Sequence, residues 1–258
     1  MKISVLSDNR TLGHEFRAEH GLSLLMETGD TKVLLDCGAS DNFIINAQTL
    51  GIDLSDVDYV FVSHGHADHT GGLKDLFRIN SKARLIIHEE AASGRFFSLR
   101  GGLHSITAPM PDLSARVTSD AKGISLLKDF PHTYPLPESN SNLLVESEMG
   151  LVKDDFRHEM VLYTQGVLYT GCAHNGLMNI LSSCPWKVDT VIGGFHMPDP
   201  VQEGGEDELD KLAQELAETY PHTSFYTGHC TGDIAFGIMK KHLGPRIEMF
   251  KCGQQFDI

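Results

Sequence analysis

Five times along this 258-residue chain a short apolar run, rich in β-branched and aromatic residues, ends in a glycine-flanked polar cluster and gives way to a helix-like pattern. The five endings are Asp36-Cys37-Gly38, the stretch from Ser63 to His69, Gly171-Cys172-Ala173-His174, Gly193-Gly194-Phe195-His196 and Gly228-His229-Cys230. A strand that stops at a glycine-bearing loop and is followed by a helix is the building unit of layered α/β folds. In such folds the loops at the ends of neighbouring strands converge, so groups far apart in sequence gather at one edge. One shared site is the economical reading of all five clusters.

The second cluster is the densest. His64-Gly65-His66-Ala67-Asp68-His69 follows the apolar run Val60-Phe61-Val62 and places three histidines and an aspartate in six residues. Imidazole and carboxylate are ligand types that suit zinc, iron or manganese. At period two His64 and His66 share a face, and Asp68 and His69 turn toward a second, adjacent metal position. A solvated, histidine-rich turn is the plain alternative, but four potential ligands at this spacing after a strand outweigh it.

Elsewhere the pattern predicts strands over Lys2 to Leu6, Leu22 to Glu27, Lys32 to Asp36, Tyr59 to Ser63, Arg84 to His88, Val161 to Thr164, Val167 to Thr170, Val188 to Ile192 and Ser224 to Thr227. Gly29-Asp30 and Gln165-Gly166 supply hairpin turns. Helices are expected from Asp41 as cap to Leu50, after Thr70, over Asn175 to Ser183, over Glu206 to Thr219 and over Asp233 to His242. The acidic run Asp199, Glu203, Glu206, Asp207 and Glu208 reads as a charge complement to the start of the fourth of these helices. Between about Glu89 and Asn140 glycine, proline and serine break the pattern, marking either a substrate lid or an insertion that meanders through short strands. Without a repeat or a composition shift, the expectation is one domain over residues 1–258 carrying that insertion.

A formal net charge of -14 argues against nucleic acid as partner, because phosphate binding needs clustered Lys and Arg. No apolar run reaches the roughly 18 to 20 residues that a membrane span requires. Five cysteines, at 37, 172, 184, 230 and 252, are odd in number and scattered, unlike a disulfide framework. These features point to a cytoplasmic protein acting on a small molecule, with no membrane partner.

The His64-to-His69 motif, with Asp36 upstream and glycine-flanked His174 and His229 downstream, resembles the metallo-β-lactamase superfamily. Glu19-His20-Gly21, Gly171-Cys172-Ala173-His174, Gly193-Gly194-Phe195-His196 and Gly228-His229-Cys230-Thr231-Gly232 are similar to its subgroup labelled 7,8-dihydropterin-6-methyl-4-(β-D-ribofuranosyl)aminobenzene-5'-phosphate synthase. The resemblance implies an αββα sandwich of two mixed β-sheets flanked by helices, with one or two divalent metals, zinc first and iron or manganese as alternatives. By family position His64, His66 and His174 hold the first metal, Asp68, His69 and His229 the second, and Asp36 orients the loop by hydrogen bonding. His158, ahead of the same strand pair, is the alternative to His174. Cys172 stands where the family's bridging aspartate is usual, and it is either a thiolate ligand or a small buried apolar residue.

The chemistry that follows is hydrolysis of a small ester or phosphoester by a metal-bound hydroxide, with Asp68 as ligand and proton acceptor and His196 as proton donor to the leaving group. A second reading, suggested by the subgroup name, is a methanopterin-pathway synthase that condenses a pterin-linked phosphorylated fragment with an aryl amine. A third is a redox or non-catalytic metal-binding protein, disfavoured because redox relatives carry a carboxylate where His66 stands. Asp8, Asn9, Glu19 and His20 are candidate pocket residues. His14, His88, His104, His132, His222 and His242 lack convergent context and most read as surface or capping groups, with His158 the exception.

Overall fold

The computed structural model describes residues 1–197 and 205–258. Its first half runs through β1 (Lys2–Ser7), β2 (Ser23–Thr28), β3 (Thr31–Leu35), α1 (Asn42–Thr49), β4 (Tyr59–Phe61), α2 (Ala67–Thr70), α3 (Leu73–Ile79), β5 (Arg84–Ile86) and α4 (Glu89–Ser93). Short strands β6 (Phe96–Ser98), β7 (His104–Ser105), β8 (Ser125–Leu127), β9 (Leu143–Ser147) and β10 (Gly150–Lys153) follow. The second half comprises β11 (Val161–Thr164), β12 (Val167–Thr170), α5 (Leu177–Ser183), β13 (Thr190–Gly193), α6 (Gly205–Thr219), β14 (Ser224–Thr227), α7 (Asp233–Leu243), β15 (Ile247–Met249) and β16 (Gln255–Asp257).

Two six-stranded mixed sheets result, in the orders β16-β1-β2-β3-β4-β5 and β15-β14-β13-β12-β11-β8. Both are buried on both faces, and successive side chains point alternately to the central and the outer layer. Leu24, Met26, Val33, Leu35 and Phe61 of the first sheet meet Leu162, Tyr169 and Ile192 of the second in a central layer. Their neighbours Leu25, Leu34 and Val60 face outward onto Phe43 and Ala47 of α1 and Leu73 and Leu76 of α3. On the far side Leu168, Val191 and Phe225 pack against α5, α6 and α7. This is an αββα sandwich, as the resemblance implied.

Element ends depart from expectation where side chains have other uses. The strand expected to reach Ser63 stops at Phe61 because Ser63 donates both its backbone N–H and its hydroxyl to Asp36. The Arg84 strand stops at Ile86, and His88 instead caps α4 by accepting the Glu90 N–H at 3.2 Å. Helix α5 starts at Leu177 rather than Asn175, whose side-chain amide is committed to Phe156 and Glu159. Gln165 and Gly166 both take positive φ, 47° and 85°, the turn that matches the twist of the β11–β12 hairpin. Glu206, Asp207 and Glu208 occupy the first turn of α6, whereas Asp199 and Glu203 lie outside the described residues.

The irregular stretch does contain short strands, and the sheet they build extends past Asn140: β10-β9-β6-β7 form a separate antiparallel sheet, while β8 joins the edge of the second large sheet. Among the described residues no helix is long and apolar enough to cross a membrane.

Two glycines test the packing in opposite senses. Gly193, at φ 138°, brings β13 so close to β12 that a Cβ would overlap the Thr170 carbonyl, so Gly193→Ala should lower unfolding free energy by about 2 kcal/mol or more. Gly237 sits inside α7 with nothing near its would-be Cβ, so Gly237→Ala should raise stability by about 0.5–1 kcal/mol. Urea denaturation of the two variants checks both.

Candidate metal centre

The buried carboxylate of Asp36, just past the end of β3, organises the site. Its Oδ1 accepts the Ser63 N–H at 2.7 Å, and its Oδ2 accepts from the Ser63 hydroxyl at 2.7 Å, the Tyr169 hydroxyl at 2.7 Å and His69 Nδ1 at 2.6 Å. With Nδ1 donating to Asp36, His69 is left with its Nε2 lone pair facing His229 and Cys172. Gly171 is required beside this network, since a Cβ there would run into the Ser63 hydroxyl.

His64, His66 and His174 form the first group. Their rings lie 4.6, 4.8 and 4.9 Å apart, centroid to centroid, in the pairs His64–His66, His64–His174 and His66–His174. His64 uses Nδ1 on the Ser63 hydroxyl at 2.9 Å, and His174 uses Nδ1 on Asn140 Oδ1 at 3.0 Å while stacking on Phe156. All three Nε2 atoms are buried without a hydrogen-bond partner. Leaving a buried polar atom unpaired costs about 1–3 kcal/mol, and three such nitrogens on neighbouring rings are a cost that a bound cation repays.

Asp68, His69 and His229 form the second group. Asp68 Oδ2 lies 3.2 Å from His229 Nε2 and 3.7 Å from His69 Nε2, and the two imidazole nitrogens are 3.2 Å apart. His229 is steered by Asn9 Oδ1 at 3.1 Å from its Nδ1 and by Asp8, which accepts its backbone N–H at 2.6 Å. Two facing nitrogens at that distance repel unless a positive charge sits between them. Cys172 Sγ stands 3.3 Å from His69 Nε2 and also groups with His64 and His174, so the thiol lies between the two positions. Both donor sets therefore fit divalent metal ions, as the fold does.

The electrostatics follow from burial. Desolvation, reinforced by neighbouring imidazoles, holds His64 and His174 well below the ordinary histidine range and lowers His66. Burial alone would raise Asp68, but His69 and His229 hold its carboxylate well below its ordinary range. Burial opposes charge on His229 too, yet the bond to Asp68 and the charges of Cys230 and Asp68 push it up to about 9. Burial drives the Cys172 thiol well up, with Cys230 beside it adding to the effect.

All the sequence candidates for metal and proton chemistry converge here. His64, His66, Asp68, His69, Cys172, His174 and His229 meet as described, and His196 sits 4.1 Å from the His174 ring with both of its nitrogens unpartnered. Asn9 and His20 line the cavity, with His20 Nε2 3.3 Å from Asp68 Oδ2. Glu19 does not; it binds Ser40 and Asn42 and clasps the turn before α1. His158, the alternative to His174, is buried, its Nδ1 accepting the Gly65 N–H and its Nε2 paired with Asp154 at 3.0 Å, and it meets Asp154 and His66 in a separate cluster of donor atoms. Asp154, Asn140 and Glu159 escaped the sequence reading. Glu159 accepts the backbone N–H groups of His174 and Asn175, each at 2.8 Å, and only the four-residue spacing of Asp154 and His158 hinted at this support.

The site opens into a cavity of about 630 Å³ whose outer wall includes Ser98, Arg100, His104 and Leu143 from the small sheet and its hairpin. The model of the metallo-beta-lactamase superfamily matches residues 17–151. The chain belongs to this superfamily. A solved structure described as a metal-dependent hydrolase of the beta-lactamase superfamily superposes with a TM-score of 0.82 at 29% identity, over 100% of this chain and 99% of its own. An uncharacterized protein of Methanocaldococcus jannaschii is 28% identical over 89% of this chain and 90% of its own length. Another protein of that organism, named 7,8-dihydropterin-6-methyl-4-(beta-D-ribofuranosyl)-aminobenzene-5'-phosphate synthase, is 25% identical over 93% of this chain and 90% of its length.

Metal-free protein should lose stability as pH falls below about 6.5, the histidine value in unfolded chains. The folded state keeps His64, His66 and His174 neutral, whereas the unfolded state takes up their protons, so acid favours unfolding. His229 acts oppositely, its contribution being lost as pH rises through about 9. Urea midpoints of chelator-treated protein from pH 5 to pH 10 should therefore peak between these limits. A second test is Asp36→Ala, which strands four donors and should cost about 3–5 kcal/mol, while also lowering metal content through loss of the His69 orientation.

Proposed function

We propose that this chain is a metal-dependent hydrolase of small ester or phosphoester substrates. The observation that carries the reading is the set of buried, unpartnered Nε2 atoms of His64, His66 and His174, with donor atoms of His64, Cys172 and His174 and of His69, Cys172 and His229 meeting beside a cavity that His66, Asp68, Cys172, His174 and His229 line. His64, His66 and His174 would hold one metal and Asp68, His69 and His229 a second, with Cys172 shared between them. The mixed nitrogen, oxygen and sulfur donors suit zinc first, with iron or manganese as alternatives. A divalent ion held there lowers the pKa of water from about 16 to about 7 and polarises a carbonyl or phosphoryl oxygen.

The chain's own groups supply the rest. Asp68 accepts the proton of the attacking water, and His20, 67% exposed at its side chain and 3.3 Å from Asp68 Oδ2, gives that proton a route to solvent. His196, whose ring nitrogens are free, donates to the leaving group. Arg10 pairs with Asp233 through Nη2 at 2.6 Å but leaves Nη1 buried and unpartnered at the cavity, and Arg100 lines the opposite wall. Two guanidinium groups in a chain of net charge -14 favour an anionic phosphoester over a neutral ester. All five cysteines are free, which accords with a reducing, cytoplasmic setting. We take residues 1–258 as one domain in which the insertion walls the substrate cavity.

The relative named as a synthase, matched over nine-tenths of both chains, favours a second reading. In it the same residues bind a pterin-linked phosphorylated fragment for condensation with an aryl amine.

Screening the metal-loaded protein against aryl esters, aryl phosphodiesters and the synthase substrates separates the readings. Phosphodiester turnover that a chelator abolishes is the expected result; Asp68→Asn should lower kcat by about 100-fold or more, and His66→Ala should remove bound metal and turnover together. Condensation without hydrolysis would replace the first reading with the second, and unchanged metal content in His66→Ala would overturn both.

A further inference from the structure

Beside the two groups already described, a third set of donor atoms meets. The Sγ atoms of Cys172 and Cys230 and a ring nitrogen of His196 all lie within 4.8 Å of one another. They come from the loops after β12, β14 and β13, so no local turn accounts for the meeting. His196 is 9% exposed, and neither of its ring nitrogens has a hydrogen-bond partner among the described residues. An imidazole this deeply placed ordinarily satisfies at least one nitrogen.

The backbone is built to bring these groups together. His196 takes a left-handed φ of 46°, and its N–H donates to Cys230 Sγ at 3.1 Å. Phe195 N–H is held by the Thr231 hydroxyl at 3.1 Å, which ties the β13 loop to the β14 loop. Gly194 permits the approach, because a Cβ at that position would collide with Cys230 Sγ and the Gly171 carbonyl. The three donors also line the cavity, so a fourth position is open to water or to a substrate atom.

We propose that Cys172, His196 and Cys230 form a further metal site, selective for a thiophilic d¹⁰ cation such as Zn²⁺ or Cd²⁺, with the Cys172 sulfur shared with the dinuclear centre. Two thiolates and an imidazole make a softer donor set than either histidine-rich group, which sets the metal preference apart. On binding, each thiol releases its proton to solvent and no redox change occurs. Apart from Cys172, the site uses none of the residues assigned to the dinuclear centre, and it takes one ring nitrogen of His196, leaving the other as the donor to the leaving group.

The test is titration of chelator-stripped, full-length protein with Co²⁺ and with Cd²⁺ under reducing conditions, comparing wild type, Cys230→Ser and His66→Ala. Wild type should bind one equivalent more than Cys230→Ser, and the near-ultraviolet thiolate-to-Co²⁺ charge-transfer band should fall by about half in that variant as one of two thiolate ligands is lost. His66→Ala should keep the Cys230-dependent equivalent and lose a different one, so failure of the dinuclear reading is distinguishable from failure of this one. In wild type alone, Cd²⁺ should protect Cys230, the more exposed thiol, from iodoacetamide, as mapped by mass spectrometry. The proposal is overturned by equal stoichiometry and spectra in wild type and Cys230→Ser, by Cys230 alkylation that Cd²⁺ does not slow, or by a Cys172–Cys230 disulfide that persists in reductant and excludes the metal.

Discussion

The Asp36 carboxylate is the point at which the two sheets and the metal-binding loop are joined. It sits after β3 in the first sheet, takes both donors of Ser63 after β4, and reaches across the sandwich to the Tyr169 hydroxyl on β12. A fully buried carboxylate is costly unless its charge is spread over strong donors, and here four donors share it. The fourth, His69 Nδ1, carries the consequence into the site. With that proton fixed, His69 presents a lone pair to His229 and Cys172, beside a negative charge that favours a cation there.

The two donor groups are supported differently. His64 and His174 rest on Ser63, Asn140 and Phe156 and His66 lies 3.8 Å from Asp154 Oδ2, and burial holds all three below the ordinary histidine range. Asp68, His69 and His229 are backed by the carboxylates of Asp36 and Asp8, which raises the affinity for positive charge. Asp36, Ala173, His196 and His229 all adopt left-handed backbone, at φ of 57°, 57°, 46° and 51°. Non-glycine residues take that region at a cost. Its recurrence at four site loops shows the chain holding strained turns in order to aim these groups inward.

Much of this was legible in the sequence because its signals are local. The unbroken apolar runs Leu24 to Met26 and Val33 to Leu35 suit strands buried on both faces, and β11, β12 and β14 fall where their apolar runs predict. The His64-to-His69 motif carries its own ligand geometry within six residues. Asp154, Asn140 and Glu159 gave no comparable signal, because each acts on a histidine loop through a contact that only folding creates. The small sheet was read as irregular because its strands are two to five residues long and lie among glycines and prolines, too short for periodicity to register.

By itself the sequence determined the layered fold and the residues able to bind metal, since hydrophobic period and ligand chemistry are properties of neighbouring residues. Only the tertiary structure decided how the two candidate histidines are engaged. His158 and His174 are equivalent as residue types, but His158 spends both nitrogens on Gly65 and Asp154 while His174 keeps Nε2 unpartnered. It also decided that Cys172 faces Cys230 and His196 as well as His64, His69, His174 and His229. Those outcomes depend on how loops from four separate strands stack at one sheet edge, and the contacts that fix that stacking join residues with no proximity along the chain.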